Sequence, residues 1–463
     1  MAVLGAFAVP HPPIIMPQVG KGEERKIQKT IDAYREVARR IASLKPQTII
    51  LTSPHSIMYA DYFHISPGKT ASGSLIRFGA PDVRVSVEYD ARFVEALTNE
   101  AEKEKIPAGT LGERNPSLDY DHASVIPLAF VNEFYTNYKL VRIGLSGLSF
   151  ADHYKLGMCI QKVADTLGID AVLVASGDLS HKLKEDGPYG LAPEGPEFDK
   201  QITEAFAKGD FLRFMTFPYE FADRAAECGL RSFIIMAGAL DGKNVKAELL
   251  SYEGPFGVGY GVASFIPEGD DPERRILDKY YEFESERMRQ IRENEDAYVR
   301  LARYSVEHFV KTKRCASLPE NLPSEMTARR AGVFVSLKKH GELRGCIGTI
   351  APVTENIAQE ILRNAVSACS EDPRFEPVRA DELDDLIYSV DVLSPAEPVS
   401  SPDMLDPVKY GVIVTSGRKR GLLLPNLEGV DTIEQQIEIA KRKAGIGPNE
   451  KYTLERFEVV RHK

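Results

Sequence analysis

Three histidines follow short apolar runs of the kind that form buried strands: His11 in VPHPP, His55 in SPHS and His181 in SGDLSH. A structural histidine is expected within a strand or on a helix face. Three imidazoles in loops at corresponding places after strands suggest one shared site, because α/β sheets bind ligands beyond the carboxyl ends of their strands. A fourth candidate, His122, follows an acidic loop in DYDHASVIPL, whereas His64 and His153 have no such context and read as surface or structural residues. Neutral imidazole is a common metal ligand. Two imidazoles and one carboxylate on one face of a metal make the open-sided set typical of Fe(II) oxygenases. Glu227, in the helix-like run AAECGLRS, is the candidate carboxylate. Its purely structural use would be a salt bridge to Arg224 or Arg231, at i−3 and i+4 on a helix. Cys228 beside it is a competing ligand. Neighbours on a helix point about 100° apart, so the two do not easily serve one metal.

The ordered set HPP, SPH, DYDH, SGDLSH and the late glutamate resembles the catalytic subunit of LigB-type class III extradiol dioxygenases, over about residues 1–267. The resemblance implies that His11 and His55 ligate iron with Glu227 as the carboxylate ligand. It implies His181 as acid/base residue and His122 as a pocket residue, with a small aromatic diol and O2 as reactants and Fe(II) as cofactor. The donors alone do not separate iron from another divalent metal. Cys228-Gly229 departs from that pattern and is similar to the Memo proteins, which share the fold and place a cysteine before glycine at the corresponding metal site. With Cys228 as ligand the site is softer, and a metal-binding redox or assembly role without ring cleavage is the alternative.

Later in the chain, LRGCIGT (343–349) and DPRF (372–375) resemble the AMMECR family, over about residues 293–463. The motif residues are Arg344, Gly345, Cys346 and Gly348. Glycines allow close backbone approach. Cys346 reads either as a reactive thiol with Arg344 as neighbour or as a small buried cysteine at a strand turn. GCIG lacks the GK[ST] ending of a phosphate loop. The joining of these two families implies a radical SAM protein as partner.

The elements that must position these residues alternate. Strand patterns at 3–9, 48–52, 140–145 and 171–175 are separated by helical patterns at 23–44 and 152–167, with further helical patterns at 196–208 and 224–240. Late strands follow at 246–252 and 259–265. This alternation implies an α/β domain with a mostly parallel central sheet flanked by helices. The polar, proline-broken stretch PEGDDPERR places a boundary near Pro267, followed by a charged helical linker at 268–292. The remainder, 293–463, has the short strands and two helical patterns of a smaller α+β domain with an antiparallel sheet.

At 463 residues the chain exceeds one ordinary core, and 43% hydrophobic with 27% charged residues is a globular composition. A net charge of −10 argues against broad nucleic-acid binding. Five scattered cysteines form no CxxC pair, which fits a reducing cytosol rather than a disulfide framework. No apolar run reaches the ~18 residues of a membrane span. Whether the chain oligomerises is left open by its residues.

Overall fold

The computed structural model describes residues 2–112, 120–427 and 429–463. Asp119, the first residue of the DYDH run, lies outside them. The chain divides into two compact units, Met1–Phe283 and Glu284–Lys463.

The first unit is built on six strands: β1 (Val3–Val9), β2 (Thr48–Ser53), β3 (Lys139–Gly144), β4 (Ala171–Ser176), β5 (Lys243–Glu253) and β6 (Tyr260–Asp270). Their order across the sheet is β3-β2-β4-β1-β6-β5. The first four run parallel, and β6 and β5 add an antiparallel edge. β2 and β4 are buried at every position, as strands covered on both faces must be. Alternate residues therefore enter two separate cores. Ala6, Ala8, Ile50, Leu173 and Ala175 pack beneath the helices Phe150–Leu167 and Leu230–Gly238. Phe7, Val9, Ile49, Leu51, Val172 and Val174 face the helices Gln28–Leu44 and His122–Asn132. Tyr34, Val37 and Ile41 form the buried stripe of the first of these, at helical spacing. Between β2 and β3 the chain inserts a hairpin, Thr70–Leu75 with Ala80–Glu88.

The antiparallel ladder of β6 with β5 runs past Pro267 to Asp270. The first unit therefore extends beyond the expected boundary. The charged stretch after it forms two helices, Ile276–Asn294 and Ala297–Thr312. Among the described residues no helix is long and apolar enough to cross a membrane.

The second unit holds two four-stranded antiparallel sheets. The first contains β7 (Val333–Lys339), β8 (Glu342–Gly348) and β9 (Leu386–Leu393), with β8 at its edge and β7 beside it. Val333, Val335, Leu337 and Val390 pack with Val299, Val306, Ile361 and Ala365 of the helices Ala297–Thr312 and Ile357–Ser370. The second sheet packs Val412, Val414 and Leu423 on Ile437 and Ala440 of the helix Ile433–Ala444.

Candidate metal centre

His11, His55 and His181 follow the carboxyl ends of β1, β2 and β4, three adjacent parallel strands. The register of the sheet therefore brings their loops together. His11 is buried, and its backbone N–H donates to Asp178 Oδ1 at 2.8 Å. Its Nδ1 lies 3.0 Å from Ser176 Oγ, the last residue of β4. A fixed Nδ1 sets the orientation of the ring and turns Nε2 toward its neighbours. There it lies 3.1 Å from Nε2 of His55 and 3.6 Å from Sγ of Cys228. These three atoms form a group able to hold a metal ion.

Glu227 is not in that group. The helical pattern over 224–240 is broken: one helix ends at Ala225, Ala226 is left-handed with φ 52°, and the next helix begins at Leu230. Glu227 and Cys228 thus sit in a turn, and the expected division of their directions by helical geometry does not apply. Glu227 Oε2 accepts at 2.6 Å from the N–H of Leu230, the first residue of the second helix. Neither expected arginine makes a close ion pair with it among the described residues: Arg224 pairs with Glu194, and Arg231, lying over the Phe150 ring, acts on Glu227 only through its charge. Cys228 Sγ accepts instead from Asp178 N at 3.3 Å. The turn reaches the end of β4 because two glycines cross there. A Cβ on Gly177 would stand 2.1 Å from Cα of Gly229.

His122 and His181 complete the cluster. The His122 ring lies 4.4 Å from His55 and 5.4 Å from His11, centroid to centroid. It opens the helix His122–Asn132, which Asp121 caps. His181 stands close enough for its charge to be felt at His11, and it feels that of His55 in turn. Two partly exposed aromatic rings touch this pair edge-on, Phe78 at His122 and Tyr189 at His181. His64 and His153 are both fully buried in the body of the unit, in a strand and on a helix respectively. They are structural residues.

Burial first, and then the charges of His55, His122 and His181, hold His11 well below the usual imidazole range. Burial also lowers His55, and it takes His122 to about 4. The rings are therefore neutral near pH 7, the form that ligates. Burial and the Asp178 carboxylate push the Cys228 thiol well up, so a metal would have to displace its proton. Burial raises Asp178 to about 7. Two imidazole nitrogens and one sulfur suit borderline transition metals such as Fe(II), Zn(II) or copper. The donors present therefore fit a metal, with thiol where the sequence suggested carboxylate. Reasoning from sequence missed Asp178, Ser176, Ser53 and Asp121 as partners of the cluster. Their only signal was their nearness in sequence to the histidines, Ser53, Ser176 and Asp178 at strand ends and Asp121 before a helix.

In the second unit, LRGCIG forms β8 rather than a strand turn. Arg344 is committed to Glu382, with Nε and Nη2 each 2.9 Å from its carboxylate. The neighbours of Cys346 are others. Ser336 Oγ lies 3.2 Å from its Sγ, Asp372 Oδ2 accepts from its backbone N at 2.9 Å, and Arg374 donates to its carbonyl. The two motif runs thus meet, because DPRF clamps the outer edge of LRGCIG. Gly345 allows the close approach expected of it, since a Cβ there would meet the Ala368 carbonyl at 2.2 Å.

A family model for the catalytic LigB subunit of aromatic ring-opening dioxygenase matches residues 5–263. A second, AMMECR1, matches residues 299–462. A Clostridium acetobutylicum protein is 44% identical over 470 residues, covering 100% of both chains. A Thermotoga maritima protein is 51% identical over 171 residues, covering 36% of this chain and 98% of its own. A solved structure of an uncharacterized Pyrococcus horikoshii protein, 31% identical, covers 35% of this chain and 88% of its own with a TM-score of 0.34.

Proposed function

We propose, from the premise that this chain belongs to the LigB family and carries an AMMECR1 domain behind its LigB domain, that it is a metal-dependent oxidoreductase. In this reading His11, His55 and Cys228 hold the metal. The observation that carries it is the convergence of His11 Nε2, His55 Nε2 and Cys228 Sγ at the carboxyl end of a parallel sheet. Iron is the metal the LigB family implies, and when bound it would supply a Lewis-acidic, redox-active centre open to a chelating anion and to O2.

The chain's own residues then have definite tasks. Ser176 and Asp178 hold the His11 ring. His181 would take a proton from a substrate hydroxyl, and His122, held at about 4 by burial and within 4.4 Å of the His55 ring, would line the substrate space. The exposed rings of Phe78 and Tyr189, edge-on to His122 and His181, would offer an aromatic substrate apolar contacts. A small aromatic diol is the substrate class this reading expects.

The sulfur in third place favours a second reading. Thiolate is softer than carboxylate, and a Memo-like redox or assembly role, with a radical SAM protein as partner, needs the metal without ring cleavage. Anaerobic loading with Fe(II), metal analysis and oxygen uptake over a panel of catechols decide between them. Bound iron with diol-dependent oxygen uptake supports the first reading. Bound iron with no uptake on any diol supports the second. Failure to retain any transition metal would overturn both.

A further inference from the structure

Asp121 is tied to more of the cluster than a helix cap requires. Its Oδ1 accepts from Ser124 N at 2.9 Å, which alone would cap the helix that His122 opens. The same oxygen also accepts from Ser53 Oγ at 2.7 Å. Ser53 Oγ in turn accepts from the backbone N–H of His55 at 3.3 Å. The other carboxylate oxygen accepts from Ser124 Oγ at 3.0 Å and lies 3.9 Å from the Arg142 guanidinium.

Arg142 is only 3% exposed and comes from β3, next to β2 in the sheet. Its Nε donates to Ser66 Oγ at 2.8 Å, and its guanidinium lies 5.1 Å from the Tyr120 ring centroid. Taking an ion pair out of water costs several kcal/mol before the charges repay it. A cap alone would not need the pair, because Asn or Ser caps equally well.

We propose that Asp121 is the positioning residue of the imidazole cluster: one carboxylate, steadied by Arg142, sets His55 through Ser53 and His122 through the start of its helix. His11 is held separately, by Ser176 and Asp178. Asp121 therefore governs one side of the cluster and leaves the other alone. The geometry stands by itself, while its consequence for metal affinity rests on the metal-site reading above.

The test uses the full chain and two variants, Asp121→Asn and Ser53→Ala. Asn keeps the helix cap but has one acceptor oxygen and no charge. Ala breaks only the link to His55. Asp90→Asn is the control, since Asp90 caps the helix Ala91–Lys103 and accepts from Thr48 Oγ1, at the amino end of β2. In the metal-free protein, ring resonances of 15N-labelled histidines should move for His55 and His122 in Asp121→Asn and for His55 alone in Ser53→Ala. The Nδ1 resonance of His11, set by Ser176, should stay in place in both, while its Nε2, 3.1 Å from Nε2 of His55, follows that ring. Anaerobic titration with Co(II) should show binding about 10- to 100-fold weaker in Asp121→Asn, with the melting temperature close to wild type, while Asp90→Asn binds as wild type does. Unmoved His55 and His122 rings in Asp121→Asn would overturn the proposal. So would a loss of Co(II) affinity shared equally by Asp90→Asn. If wild type binds no Co(II), the metal reading fails and the ring resonances still decide the role of Asp121.

Discussion

The Nε2 atoms of His11 and His55 lie 3.1 Å apart across 44 residues of sequence. Two imidazole nitrogens that close must share a proton or share a cation, since two lone pairs facing each other repel. With Cys228 Sγ 3.6 Å from the same His11 atom, the three atoms together are a set that could share a cation.

The roles of the adjacent Glu227 and Cys228 separate by substitution. Cys228→Ala is expected to lower Co(II) affinity by at least tenfold and to abolish thiolate-to-cobalt charge-transfer absorption. Glu227→Ala should keep that absorption and cost about 1 kcal/mol in urea unfolding, the value of a lost hydrogen bond at a helix start. Loss of metal in Glu227→Ala with retention in Cys228→Ala would refute the ligand set.

The crossing of Gly177 and Gly229 leaves no room for a methyl group. Gly177→Ala should destabilise the protein by about 1–3 kcal/mol, as overpacking does. It should also weaken Co(II) binding, because the shift falls on the Cys228 turn. Wild-type affinity in this variant would show that the turn does not position the sulfur.

Asp199 accepts from Ser180 N and from Tyr252 OH, and burial raises it to about 7 from an unfolded value of 3.8. Between those values the native state binds the extra proton, so its contribution is full below about 4 and is lost as pH rises to about 7. Asp199→Asn keeps an acceptor oxygen and has no such loss. The stability of wild type relative to this variant, measured by urea unfolding, should therefore fall by at least about 1 kcal/mol from pH 4 to pH 8. A difference independent of pH would remove Asp199 as the source.

Arg344 and Glu382 carry the opposite sign. Burial would raise Glu382, but hydrogen bonds from Arg344 and the Arg379 backbone, with the charges of Arg344 and Lys339, together outweigh it and hold it at about 2. The stabilisation is present above the unfolded carboxylate value and is lost as pH falls toward about 2. Arg344→Ala should cost about 2 kcal/mol at pH 7, the order expected on removing a charged hydrogen-bonding partner, and less at pH 3. Unchanged stability at pH 7 would show the pair to be incidental.

Much of the first unit was legible from residue types alone. Apolar runs of five to seven residues, followed by the loops that carry His11, His55 and His181, specify buried parallel strands, and the parallel register then gathers the loops at their carboxyl ends. The turn at Ala226 was not legible. Alanine is the best helix former, and the apolar pattern over 224–240 passes through it unbroken. Ala226 is left-handed all the same, where the chain turns to bring Gly229 against Gly177, a tertiary approach that no local pattern shows. That turn brings Cys228 Sγ to His11 Nε2 and turns the Glu227 carboxylate to Leu230 N instead. Likewise, the clamp from Asp372 and Arg374 reaches LRGCIG across a long stretch of sequence, so neither it nor the strand it borders could be read locally. The pairing of Arg344 with Glu382, rather than with the cysteine two residues on, was equally hidden.

That clamp has a further consequence. β8 lies at the edge of its sheet, where free amide and carbonyl groups would invite another chain to add a strand. At Cys346 both groups are already engaged, one by a carboxylate and one by a guanidinium. An incoming segment would find the middle rung of the ladder taken, so extension of the sheet from this side is blocked by the same two residues that fix the cysteine in place.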